Sequence, residues 1–152
     1  MEERKNAILN MLRKWIEEYI CKTETVEQGG VTFLQMSPAL YEDNLGHVLM
    51  EVCLLEYSDA TMIGQIYSTL LPQLGAGEET LRRKVGEWNL VSLAGAYGIY
   101  EKQGHLYHKH NVALINDAAV DDQVDFLFNG LCLALDEMGR RLSDAVSISR
   151  NG

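Results

Sequence analysis

The chain has 152 residues, 47% of them apolar, enough for one domain with a real core and too many for a disordered chain. A net charge of −9 argues against a nucleic-acid binder, which needs a basic stripe to neutralise phosphates, and no apolar run reaches the ~18 residues that span a membrane. Cys21, Cys53 and Cys132 are far apart with no CxxC spacing, so neither a disulfide framework nor a zinc knuckle is signalled, and free thiols fit a reducing compartment.

The opening stretch, MEERKNAILNMLRKWIEEYI, lacks the continuous apolar block and small-residue cleavage site of a signal peptide. The expectation is a cytoplasmic soluble protein. Over residues 3–20, Ile8, Met11, Leu12, Trp15, Ile16 and Tyr19 recur at helical spacing. Lys5, Arg13, Lys14, Glu17 and Glu18 lie on or near the other face, which predicts an amphipathic helix. Its mixed charge argues against a membrane-surface helix. Thr23 to Gly30 has no period and ends in Gly-Gly, so it reads as a loop.

VTFLQM (31–36) is short and β-prone, and Pro38 ends it. HVLMEVCLLEY (47–57) is a stronger strand, with apolar residues at even and most odd positions. It reads as covered on both faces, with something on each side of the sheet. Residues 60–71 satisfy a helical stripe, but Gly64 and the run of Thr, Ile and Tyr favour a strand, paired with 47–57 through a turn at Ser58-Asp59. GAGEETLRRKVGEWNL opens with glycines and acids as a helix start should, and Leu81, Val85 and Trp88 form its stripe. Residues 96–101 and 105–114 form a hairpin around KQG. From Asp121 to Ala145, Val124, Leu127, Phe128, Leu131, Leu135, Met138 and Leu142 predict one helix about 37 Å long, and the tail SISRNG reads as frayed.

The expected fold is α+β: a twisted antiparallel sheet of about five strands in the order α-β-β-β-α-β-β-α, within one domain over residues 1–152. That order, the first helix through Trp15, the EWN end of the middle helix (87–89), the hairpin GAYGIYEKQGHLYHKHNVAL and the final helix from Asp121 carry a resemblance. Over residues 5–145 the chain resembles the type III secretion chaperone-like superfamily, and within it the YbjN-type branch. The resemblance implies terminal helices packed on one sheet face, dimerisation, protein partners and no catalytic residues.

GHLYHKHNVAL (104–114) holds three of the four histidines. In a strand, His108 and His110 share a face and His105 points away, so two ligands stand where zinc needs three or four. His47 joins them only if its strand lies alongside. The histidines therefore read as structural, and removing His108 and His110 together is expected to change stability little. Cys53 and Cys132 fall in apolar segments and read as buried structural thiols rather than nucleophiles. Asp117, Asp121, Asp122 and Asp125 gather at a helix start, where the dipole favours negative charge, and EF-hand spacing is absent. GAGEE and AGAYG match no phosphate-binding signature. Tyr97, Tyr100 and Tyr107 mark either a recognition surface or an aromatic-braced sheet edge.

The sequence thus points to a non-catalytic protein-binding module without cofactor or metal, chaperone-like or regulatory. It is expected to act as a homodimer of about 34 kDa, twice the 17.1 kDa chain, docking a basic or unfolded polypeptide segment. Leu81, Val85, Trp88, Tyr97, Tyr100 and Tyr107 are the expected partner or dimer contacts, with Trp88 at or near the interface. The competing readings are an immunity-type inhibitor acting through acidic surface mimicry, and a metal-dependent enzyme using the 105–110 histidines. Neither nucleic acid nor membrane is an expected partner.

Overall fold

The computed structural model describes residues 1–40 and 48–152. Glu2–Tyr19 form α1, with Glu2 and Glu3 in the first turn, where the helix dipole favours them. Its buried stripe is Ile8, Leu9, Leu12 and Ile16. Thr23–Gln28 (β1) and Val31–Met36 (β2) pair antiparallel around Gly29-Gly30, both at positive φ, 60° and 80°. Such a two-residue turn matches the twist of a hairpin and suits glycine. The segment expected to be a loop is therefore an edge strand. Its only large apolar residue is Val26, so it carries no alternation to read.

Leu49–Glu56 (β3) and Thr61–Leu71 (β4) pair along their length, from Leu49 opposite Thr69 to Glu56 opposite Met62. Ser58 Oγ accepts the Ala60 and Thr61 backbone N–H groups and shapes the turn between them. The strand reading of 60–71 holds. Pro72 follows, then a 3-10 turn at Gly75–Gly77 and α2, Glu78–Val91. Ala96–Tyr100 (β5) and His105–Ile115 (β6) form the expected hairpin, and β6 returns to pair with β4. The result among the described residues is α+β: a six-stranded antiparallel sheet in the order β1-β2-β3-β4-β6-β5, with four helices.

The expected single last helix is two. Val120–Gly139 (α3) stops at Arg140, whose N–H reaches the Glu137 carbonyl while the Arg141 N–H reaches that of Met138, and Leu142–Asn151 (α4) begins after this turn. The apolar spacing runs through the break because Leu142 and Ala145 enter the same core. The tail is not frayed. It seats on the 3-10 turn, where side chains at Gly75 or Gly77 would collide with Ser149 and Ile148.

All four helices cover one face of the sheet. Leu34, Met36, Met50, Val52, Leu54, Met62, Ile66, Leu106 and Leu114 point into that layer and are buried. Leu127 of α3 presses on Gly64, Gly130 lies on Val112, and Trp88 of α2 packs on Tyr97. No described element lies on the opposite face. The expectation that β3 is covered on both sides is therefore corrected. Its outward residues Leu49, Glu51 and Leu55 are exposed or half-buried, and Cys53 on the same side is buried.

Candidate functional site

Strand alternation sorts every residue of the sheet to one face or the other, and the register lays out the bare face in rows. One row runs Glu24, Gln35, Glu51, Tyr67, Lys109, Ala96 across all six strands. On one side of it lie Leu49, Thr69, Tyr107 and Gly98, then His105 with Tyr100. On the other side lie Val26 with Phe33, and Cys53 with Gln65 and Asn111. Beyond these come Leu55, Ile63 and Ala113, with Val31 at the end of β2. One end of the face is thus aromatic and the other aliphatic.

The aromatic end is braced. The Tyr67 and Tyr107 rings stack with centroids 5.1 Å apart, and Tyr100 stacks on His105 at 5.2 Å. Gly98 leaves room for the Tyr107 ring, which a β-carbon there would strike. Tyr67 Oη lies 2.6 Å from His105 Nε2. Burial, aided by Tyr107 and Glu51, pushes the Tyr67 phenol up to about 12, so it stays protonated beside the imidazole. In the central row Gln35 donates to Glu51 at 3.1 Å.

Of the expected contact residues, Tyr100 and Tyr107 lie on this face. Leu81, Trp88 and Tyr97 do not: they are buried inside the protomer, Trp88 only 5% exposed, and Val85 is half-buried beside them. The indole sits 5.4 Å from the Tyr97 ring. Tyr97 donates its hydroxyl to Glu137 at 2.7 Å, which ties β5 to α3. The apolar stripe of α2 is what the core needs to hold that helix, so it is not available to a partner.

The histidines fall as strand alternation requires. His105 is on the bare face, and His108 and His110 are beneath the helices. His108 is fully buried and donates from Nε2 to the Ala94 carbonyl at 2.6 Å. Burial holds its imidazole below the ordinary histidine value, against the opposing pull of the Ala94 bond and Glu137. Its Nδ1 and the Oγ of Ser68, directly across in register, are both buried with no hydrogen-bond partner among the described residues. His108 is thus a core residue, and its removal should cost more stability than the small change expected from the sequence. Among the described residues no group of three His, Cys, Asp or Glu side chains is placed to hold a metal. His47 lies outside the described residues. Burial raises all three thiols above their ordinary pKa, which disfavours a nucleophilic thiolate. Asp121 and Asp122 occupy the first turn of α3.

Two features were missed from sequence. Asn89 exchanges two hydrogen bonds with the Tyr97 backbone, at 2.7 and 2.9 Å, and so caps the outer edge of β5 at that residue as a neighbouring strand would. Beside it, Leu90, Val91 and Leu93 project into solvent at 86%, 61% and 89% exposure. The signal for the second was present: Leu90 and Val91 fall off the Leu81-Val85-Trp88 stripe. No helix among the described residues is long and apolar enough to cross a membrane. Compared with protein-family models and with curated proteins, the chain matches none.

Proposed function

We propose that the protein is a non-catalytic, cytoplasmic binding module, chaperone-like or regulatory, which acts as a homodimer and docks a partner polypeptide. The observation that carries this reading is the bare sheet face, with Val26, Val31, Phe33, Leu55, Ile63, Tyr67 and Tyr107 under no helix. Ligand pockets for small molecules are concave and bury most of the ligand. A broad, flat apolar surface is instead what protein contacts use, and such patches are uncommon on free monomers. The resemblance to the type III secretion chaperone-like superfamily supports the same reading.

Leu90, Val91 and Leu93 supply a second apolar contact, suited to an extended segment of the partner. The charge of −9 over the rest of the surface favours basic sequences around that contact. Fluorescence anisotropy with labelled extended peptides tests this. Peptides combining apolar and Lys/Arg residues should bind, weaken as salt rises, and weaken at least tenfold against the Leu90→Ser, Leu93→Ser double variant. Equal binding of acidic-apolar peptides, or no binding of either class, overturns the reading.

A further inference from the structure

We infer that the bare face of the sheet receives a second copy of this chain, about a two-fold axis that runs along β4. This rests on the homodimer reading and assigns its contact.

Charge distribution identifies the occupant. The chain carries −9 overall, so two copies repel over most of their surfaces. Among the described residues, the only formal charges on the bare face are Glu24, Glu51 and Lys109. Glu24 is on the outermost strand. The two central charges flank Tyr67 in one row, Glu51 on β3 to one side and Lys109 on β6 to the other. An axis along β4 exchanges the places of β3 and β6. Each Glu51 then lies opposite the partner's Lys109, twice, and the overlapped face is neutral. Opposite charges at equal distances from one strand make a surface complementary to itself, as an isologous contact requires.

The same axis places Ile63 and Tyr67 on their own copies and Leu49 against the partner's Tyr107. The β2, β3, β4, β6 and β5 strands overlap, and β1 stays outside. Five strands about 4.8 Å apart and about eight residues long, at about 3.3 Å per residue, present roughly 650 Å² per protomer. The total of roughly 1,300 Å² falls within the ~1,200–2,000 Å² of a stable specific interface. Two faces joined in this way form a sandwich with sheets about 10 Å apart, close enough for facing side chains to interdigitate.

The test is light scattering and sedimentation of the full chain at micromolar concentration, with circular dichroism confirming that each variant folds. The wild type should be a 34 kDa species. Ile63→Lys, on the axis, should give 17 kDa. Lys109→Glu and Glu51→Lys should each weaken the dimer at least tenfold by setting like charges opposite one another, and the double variant E51K/K109E should recover it. A wild-type monomer overturns both the homodimer reading and this contact. A dimer indifferent to Ile63→Lys overturns the contact alone. A double variant no tighter than the singles overturns the axis.

Discussion

His108 illustrates how a residue that attracts attention as chemistry can belong to the core. Its ring nitrogen secures the Ala94 carbonyl where the chain enters β5, and burial disfavours its charged form. The folded-state pKa lies below the unfolded one, so the unfolded chain takes up a proton that the folded chain refuses. Stability is fully present above the ordinary histidine pKa of ~6.5 and is lost as pH falls toward the folded value, by at most about 1.4 kcal/mol per pH unit for one group. Urea midpoints should therefore drop between pH 7.5 and 5.5, and drop less in His108→Gln. An equal fall in the variant would assign the effect elsewhere, with His110, also held low by burial, the first candidate. Strand alternation sufficed to place these side chains on their faces. The burial of His108 depends on α2, α3 and the chain around Ala94, which no local pattern reveals.

Among the elements, the legible ones were those with a strong period. The stripes of α1 and α2, the hairpin of β5 and β6, and β4 all follow from apolar spacing or β-prone composition. Gly64, which weakened the helical reading of β4, is where Leu127 of α3 presses on the sheet. The elements that escaped had a physical reason to do so. Among the described residues the β1 strand has a neighbour on only one side, and it has little to bury, so TETVEQ shows no alternation. The break between α3 and α4 preserves the apolar phase because both helices feed one core. Asn89 was silent because an asparagine near a helix end has many common uses. Asn89→Ala should cost about 1–2 kcal/mol, the net worth of two hydrogen bonds. It should also leave Tyr97 backbone groups open to pairing, with aggregation rising at equal protein concentration. Thermal melts and turbidity measure the two effects, and an unchanged melt would show that the amide contributes nothing.

For the whole molecule, sequence reading expected contacts at Leu81, Trp88 and Tyr97, which are buried within the protomer, and at Tyr100 and Tyr107, which lie on the bare face. Trp88 drew attention as a large aromatic on a short helix, but it fills the gap between α2 and β5 within the protomer. Trp88→Asp should therefore unfold the chain rather than dissociate a folded one, at a cost of at least about 3 kcal/mol for a buried charge and a lost core side chain. Circular dichroism reads this directly, and a folded monomer would return Trp88 to an interface. The bare face was hidden for a different reason. Its residues come from six strands and form a surface only once the register is known. Apolar residues on both sides of β3 were equally compatible with a second covering layer.

The two margins of the sheet are unequal, and this bears on how the chain behaves when crowded. Asn89 occupies the β5 margin, whereas among the described residues nothing is bonded along the outer side of β1. Fibre growth by strand addition needs two free ends on every unit, one to receive and one to offer, so that each arrival creates the next docking place. A chain with one end stopped adds once and halts. Glu24 and Glu27 further discourage two β1 strands from meeting, because like charges would face one another across the pair. A single side-chain amide thus closes the Tyr97 position of that margin to an arriving strand.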